Sequence, residues 1–226
     1  MSYVTAIALA AGRGERLKSK VPKLLAKIGS KPVIIHTLEA LSRNPSIKDI
    51  ILVANAKNLR EMTAWVKRYH IRKISSVVEG GARRQDSLGN GLKAVDSRTD
   101  LVLIHDAARP FIDKNLIDSV INVAKKSGAA ITGVPVKATI KKAFGKVVDK
   151  TIERKNLWEI QTPQVFKKDL ILKAYKKFGK IDVTDDAMLV EKLGGKVNIV
   201  EGSYSNIKIT TPEDLVLAEA IAKRIR

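Results

Sequence analysis

The sequence predicts an α/β fold, with a mostly parallel sheet and helices packed on both of its faces. Three observations predict it. Short apolar runs rich in β-branched residues alternate with longer segments of helical periodicity over the first 135 residues. The chain has 226 residues, of which 45% are hydrophobic, so a sizeable core can form. No repeat or linker divides it, which predicts one domain over residues 1–226.

The elements follow in a regular order. The first strand is expected at residues 4–10 and leads into a glycine-bearing loop. Further strands are expected at 50–54, 74–78, 101–104 and 129–134. Helices are expected between them at 32–41, 58–69, 86–95 and 113–126. Because ligands of parallel sheets bind beyond the carboxyl ends of the strands, the loops after the first, third and fourth strands are the places to look.

The alternation stops after Pro135. Residues 136–140 and 145–152 read as strand, turn and strand with no helix between them, which predicts a protruding β-arm at about 136–158. An isolated hairpin is marginal in water, so this arm is expected to pack against a second subunit, with Trp158 as an anchor. Helices at 168–178 and 185–193, a strand at 197–201 and a final helix opening at Thr211-Pro212 complete the chain.

Composition limits the functional classes. The chain has no cysteine, which excludes disulfides, thiol catalysis and cysteine-ligated metals. No apolar run approaches the ~20 residues of a membrane helix and no signal peptide is evident, so a cytoplasmic location without membrane contact is expected. The net charge of +19 fits a nucleic-acid binder, an anionic small substrate or a solubilising lysine-rich surface. Aromatic residues make up only 4%, which is few for base-stacking platforms.

The loop after the first strand carries the strongest chemical signal. Its small residues let backbone amides approach phosphates closely, namely Ala10, Ala11, Gly12 and Gly14. Arg16 and Lys23 follow and can neutralise phosphate charge. Leu17 stands where a dinucleotide-binding fingerprint needs its third glycine, and the Gly-Lys-Ser/Thr of a P-loop is absent. The loop is therefore predicted to bind phosphates without belonging to either of these two motifs.

Two further loops are expected at the same edge of the sheet. In the first, the amides of Gly80-Gly81-Ala82 and the hydroxyl of Ser87 suit a base edge, although an ordinary capped turn explains the same residues. In the second, Asp106 could accept a hydrogen bond from a sugar hydroxyl or lie near a metal, and Arg109 could bind a phosphate. The alternative is a turn that merely contains an ion pair. The neighbouring His105 is expected to be structural.

Taken together, these motifs resemble those of the 2-C-methyl-D-erythritol 4-phosphate cytidylyltransferase family. The resemblance covers nearly the whole chain and also includes Leu157-Trp158, Thr162-Pro163-Gln164 and Asn206-Ile207-Lys208. It implies a Rossmann-like nucleotidyltransferase fold. It also implies transfer of CMP from CTP to 2-C-methyl-D-erythritol 4-phosphate, giving 4-diphosphocytidyl-2-C-methyl-D-erythritol and pyrophosphate in non-mevalonate isoprenoid precursor synthesis.

The resemblance also implies roles for individual residues. Catalytic roles fall to Arg16, Lys23 and Lys208. Nucleotide-binding roles fall to Ala10, Ala11, Gly12, Gly14, Gly80, Gly81, Ala82, Ser87 and Asp106. Substrate-binding roles fall to Ala107, Arg109, Thr139, Arg154, Thr162 and Thr184. In a homodimer, Thr139 and Arg154 would reach the partner's site from the arm, and Mg²⁺ would be held largely by the phosphates of CTP, with no protein ligand assigned.

Rival interpretations stay open at this stage. The closest is ribitol 5-phosphate cytidylyltransferase, a sister family whose first loop typically has Ala-Gly-Gly and whose third has Ser-Val; this chain has Ala10-Ala11-Gly12 and Ala107-Ala108 there. A basic nucleic-acid-binding protein is the rival from another class, but no recognised motif supports it and no nucleic-acid partner is expected. Departures from the family pattern also occur, including Leu24-Leu25 after Pro22-Lys23 and Ala82 in place of a frequent acidic residue.

Overall fold

The computed structural model describes residues 2–12 and 23–225. Its strands are β1 (Val4–Ala10), β2 (Lys27–Ile28), β3 (Lys31–Pro32), β4 (Ile47–Ala54), β5 (Ile74–Glu79), β6 (Leu101–Asp106), β7 (Ala129–Pro135), β8 (Ile140–Phe144), β9 (Val147–Ile152), β10 (Trp158–Lys167) and β11 (Asn198–Glu201). Its α-helices are α1 (Val33–Arg43), α2 (Leu59–Arg68), α3 (Arg84–Lys93), α4 (Lys114–Ser127), α5 (Lys168–Phe178), α6 (Ala187–Lys192) and α7 (Pro212–Ile225). None of these helices is both long and apolar enough to cross a membrane.

Seven strands form one central sheet in the order β11-β7-β10-β6-β1-β4-β5. The pairs β1·β4, β1·β6, β4·β5 and β7·β11 are parallel, which confirms the mostly parallel sheet. Strand β10 runs antiparallel to both β6 and β7 and was not predicted from the sequence. Its pairing with β7 shifts register between Gln161 and Gln164, around Pro163, and a proline normally argues against a central strand.

Helices cover both faces of the sheet, as predicted. In the central strand β1, Ala6 and Ala8 pack into one hydrophobic cluster, whereas Ile7 packs into the other, because successive side chains point to opposite faces. Helices α1, α4 and α7 contribute to the first cluster, and α3, α5 and α6 contribute to the second. The continuous apolar character of β1 follows from this burial on both sides.

The predicted β-arm is present, but its first strand begins later than expected. Strand β7 ends at Pro135 and β8 begins only at Ile140, so the strand predicted at 136–140 is wrong in its position. Strands β8 and β9 pair only with each other, around Gly145, whose φ of +59° suits a glycine. The arm exposes apolar side chains to solvent: Phe144, Val147 and Val148 are 68%, 74% and 56% exposed.

Candidate active site

A cavity of about 420 Å³ lies at the carboxyl ends of β1, β5 and β6. We call it the first cavity. Its wall includes a large share of the residues predicted from the sequence: Ala10, Ala11, Gly12, Lys23, Gly81, Ala82, Ser87, Asp106 and Lys208. The predicted residues Gly14 and Arg16 lie outside the described part of the chain. The structure thus brings residues from distant parts of the sequence to one edge of the sheet.

A second cavity of about 580 Å³ adjoins the first. It contains the predicted residues Arg109, Thr162 and Thr184 in its wall. The two cavities share three lining residues, Arg84, Asp106 and Lys208. We call these three side chains the charged junction, because they are the point at which ligands in the two cavities would meet.

The turn at Gly80 and Gly81 supports the first cavity. The Gly81 amide donates to the Ser87 hydroxyl oxygen at 3.1 Å, and that hydroxyl lies 3.1 Å from the Arg83 carbonyl. A Cβ on Gly80 would come within 2.3 Å of the Ala11 side chain, so only glycine allows the two loops to approach this closely. Ser87 was predicted to contact a base; its hydroxyl is already engaged in ordering this turn, and it lines the cavity from that position.

Opposing charges hold the charged junction together. The Asp106 carboxylate accepts from the Lys208 ammonium at 2.6 Å through Oδ2 and lies 3.5 Å from the Arg84 guanidinium through Oδ1. Burial alone would raise the pKa of Asp106, but the charges of Arg84 and Lys208 outweigh it and hold that pKa well below its usual value. Asp106 therefore stays ionised at neutral pH and fixes two cations between the cavities.

Arg84 has a second carboxylate partner that sequence analysis did not single out. Asp186, which directly precedes α6, accepts from Arg84 Nη1 at 2.5 Å and from Nη2 at 2.8 Å. Burial lowers the pKa of the Arg84 guanidinium, but Asp186 and Asp106 outweigh this effect and raise it. Nothing in the spacing of these two residues along the sequence shows that they meet across 102 positions.

Arg109 lies in the wall of the second cavity and is only 8% exposed. Its Nη1 donates to the Asn206 carbonyl at 2.7 Å, while its Nε has no hydrogen-bond partner among the described residues. Within those residues no carboxylate lies within salt-bridge distance of it, and burial lowers its pKa. A buried guanidinium that faces a cavity without a paired carboxylate suits an anionic ligand such as a phosphate.

His105 supports this loop rather than facing the cavities, as predicted. It is completely buried; its Nε2 lies 3.1 Å from the Arg109 carbonyl and its Nδ1 lies 3.0 Å from the Thr162 hydroxyl. Because a carbonyl can only accept, Nε2 carries the proton and Nδ1 accepts from Thr162. The Thr162 hydroxyl oxygen accepts in turn from the Asp106 amide at 3.0 Å. This chain of contacts fixes the backbone beside Asp106.

The remaining predicted residues lie away from the cavity walls. Ala107 is fully buried, and its amide donates to the Leu9 carbonyl at 3.0 Å, so it supports the loop from behind. Thr139 and Arg154 are exposed on the arm and line neither cavity of their own chain. The Arg154 guanidinium donates to the Lys137 carbonyl. Their predicted action on a partner's site stays a prediction.

His105 makes stability depend on pH. Burial lowers its pKa from 6.5 to about 4, so between these values the unfolded chain binds a proton that the folded chain does not. Stability is therefore lost as pH falls below the unfolded value of 6.5 towards 4. We expect the free energy of unfolding to fall between pH 7 and pH 5 by about 2 kcal/mol more in the native chain than in His105→Gln. Urea unfolding of both proteins at the two pH values measures this, and equal losses would contradict it.

Comparison with known proteins agrees with this geometry. A family model described as 2-C-methyl-D-erythritol 4-phosphate cytidylyltransferase matches residues 4–224. The enzyme of that name from Alkaliphilus oremlandii is 46% identical over 230 residues, which cover 100% of this chain and 98% of the relative. The bifunctional enzyme IspD/IspF from Desulfotalea psychrophila is 45% identical over 210 residues, or 93% of this chain and 54% of the relative, so this chain spans about half of it.

A solved structure is similar over the same length. The crystal structure of 4-diphosphocytidyl-2C-methyl-D-erythritol synthase from Anaerococcus prevotii superimposes with a TM-score of 0.86 and 37% sequence identity, covering 99% of each chain. The family match, the relatives and the structural likeness all extend over nearly the whole chain. The chain belongs to the 2-C-methyl-D-erythritol 4-phosphate cytidylyltransferase family.

Proposed function

We propose that this chain transfers CMP from CTP to 2-C-methyl-D-erythritol 4-phosphate and releases pyrophosphate. Membership of the family supports this activity. The observation that carries it is the charged junction: two adjoining cavities share Arg84, Asp106 and Lys208, so two anionic ligands can meet beside fixed cations. The product would be 4-diphosphocytidyl-2-C-methyl-D-erythritol, a step of non-mevalonate isoprenoid precursor synthesis.

From the chemistry of the walls, we propose one substrate for each cavity. CTP would occupy the first cavity, whose wall includes Lys23 and the close-packed turn at Gly81. The polyol phosphate would occupy the second cavity, where Arg109 has no carboxylate partner among the described residues and Thr162 and Thr184 lie in the wall. Both volumes fall in the range of small-molecule sites, roughly 300–1,000 Å³.

The reaction is a displacement at the α-phosphorus of CTP. A phosphate oxygen of the polyol substrate forms the new bond to this phosphorus, and the bond to the bridging oxygen of pyrophosphate breaks, with the electron pair leaving on pyrophosphate. The attacking oxygen is already ionised at neutral pH, so no general base is needed. The chain's contribution is to bring two anions together and stabilise the charge that develops between them, which is the task of Lys208 and Lys23, with Arg16 as a further predicted cation.

Mg²⁺ belongs to this proposal as a companion of the triphosphate. Among residues 2–12 and 23–225, no group of three or more His, Asp or Glu side chains is arranged to bind a metal. Asp106, the carboxylate common to both cavities, is engaged by Lys208 and Arg84. The phosphate oxygens of CTP would therefore supply its ligands, as Mg²⁺ sites on nucleotides commonly do. When bound, the ion would neutralise part of the triphosphate charge.

The assay that tests the function is pyrophosphate release with CTP and Mg²⁺. We expect rapid release with 2-C-methyl-D-erythritol 4-phosphate and little with ribitol 5-phosphate. Release only with ribitol 5-phosphate would replace the proposed substrate with that of the sister family. Release with neither substrate would overturn the proposed function. A cytoplasmic location, without a membrane or nucleic-acid partner, forms part of the same proposal, because both proposed substrates are soluble anions.

Lys208 provides the sharpest single test of the site. Lys208→Ala removes the ammonium between the two cavities, so we expect kcat to fall about 10²–10³-fold, as when one preorganised donor is removed. The matched control is Lys126→Ala, which removes an exposed lysine at the end of α4. Steady-state kinetics of both variants decide the matter: a kcat for Lys208→Ala within twofold of the native value would remove Lys208 from the mechanism.

We also propose that the chain acts as a homodimer joined through its β-arm. The exposed Phe144, Val147 and Val148 on an unsupported hairpin favour a partner surface. In this arrangement Thr139 and Arg154 would approach the second cavity of the partner. Light scattering should give twice the 24.8 kDa of one chain. A single-chain mass at assay concentrations would show that these two residues cannot act on a partner's site.

A further inference from the structure

Among the described residues, the Asp186 carboxylate hydrogen-bonds only with Arg84. The side chain is 1% exposed, and both of its oxygens accept from Arg84, at 2.5 and 2.8 Å. It does not cap helix α6, although it occupies the capping position. The neighbouring Asp185 does so instead, because its Oδ1 accepts from the Met188 amide at 3.1 Å. The Asp186 carboxylate therefore serves Arg84 rather than the helix.

Stability alone does not account for this ion pair, in which Asp186 is buried and Arg84 is half-buried. The cost of removing two charges from water largely cancels their attraction, so an apolar pair of similar size often stabilises a fold as well or better. What the pair does determine is position. Arg84 Nη2 lies 2.8 Å from Asp186 Oδ2 and 3.5 Å from Asp106 Oδ1. Its hydrogen bond to Asp186 is therefore the shorter of the two. Asp186 thus determines how near the guanidinium comes to Asp106.

We propose that Asp186 is a positioning residue for CMP transfer, which keeps Arg84 from closing on Asp106 and so leaves Asp106 to hold Lys208 at the charged junction. This inference rests on the function proposed above. Lys208 lies 2.6 Å from Asp106 Oδ2. A guanidinium that is released from Asp186 has Asp106 within reach, and a planar bidentate pair with that carboxylate displaces a single ammonium.

The groups around Asp106 make this competition specific. Arg84 comes from α3, Lys208 from the segment before α7, and Arg109 and His105 from the end of β6 and its loop. Of these, only Arg84 is shared with a second buried carboxylate among the described residues. Loss of that carboxylate therefore changes the position of the cations at the junction.

The test is the variant Asp186→Asn, which keeps the size of the side chain and removes its charge. We expect kcat to fall at least about tenfold, because small displacements of a positioned group reduce the rate strongly. The KM for CTP should stay within about threefold, because Asp186 itself does not line the first cavity. A merely structural role would instead lower the folded fraction, measured by circular dichroism, with kcat per folded molecule unchanged.

Asp96→Asn is the matched control. Asp96 also accepts two hydrogen bonds from one guanidinium, Arg98 Nε and Nη2 at 2.9 Å each, but it precedes β6 at the opposite end of the sheet from Asp106. Its removal should leave kcat and KM unchanged. The native enzyme, assayed alongside, tests the proposed function separately: inactivity there would overturn the function, whereas the comparison of variants addresses only Asp186.

The double variant Arg84→Gln/Asp186→Asn keeps the proposal testable even where the single variant does not fold, because it leaves neither charge unpaired. Without the guanidinium, Lys208 keeps its ion pair with Asp106. The kcat of the double variant should therefore be at least about three times that of Asp186→Asn and stay below the native value. A native kcat in Asp186→Asn, or no recovery in the double variant, would overturn the proposal. If only the double variant folds, a kcat within about tenfold of the native value with unchanged KM for CTP would support the proposal, because Lys208 then keeps its contact with Asp106. A larger loss of kcat would overturn it.

Discussion

The site depends on the ion pair between Asp106 and Lys208. Asp106 is the last residue of β6, and Lys208 lies in the segment between β11 and α7, so their contact at 2.6 Å ties two remote parts of the chain together. Asp106 is largely buried, and a buried charge is tolerated only when it is paired. Arg84 and Asp186 meet that condition, and the two cavities meet at these charges.

The sheet supplies the rigidity that this arrangement requires. Strands β1 and β6 pair in register, with Leu9 opposite Asp106, so the first loop and the Asp106 loop emerge side by side. The antiparallel β10 then brings Thr162 beneath the Asp106 amide, where its hydroxyl links that amide to His105. Groups on paired strands move less than groups on free loops, and a transfer reaction that works by positioning gains from this.

Local patterns were enough to predict the fold class and the glycine-bearing and charged loops of the first cavity, whereas Lys208, Thr162 and Thr184 were named as site residues only through the family resemblance. The apolar run of β1 and the glycine pair at Gly80 are visible in the sequence itself. The central strand β10 was missed because Pro163 and a register shift interrupt its pattern. Asp186 was missed for another reason: its partner lies 102 positions away, and an acidic residue at a helix start ordinarily reads as a cap.

Buried carboxylates in a site for two anionic substrates have a physical explanation. Cations crowded together without counter-ions would repel one another, and burial adds a further cost, which is why burial lowers the pKa of Arg109. Asp106 and Asp186 hold Arg84 and Lys208 in place before any substrate binds. Phosphates then add to a framework that is already ordered, so little reorganisation is left for the moment of reaction. The negative residues of this basic chain are thus as necessary to its anion site as the positive ones.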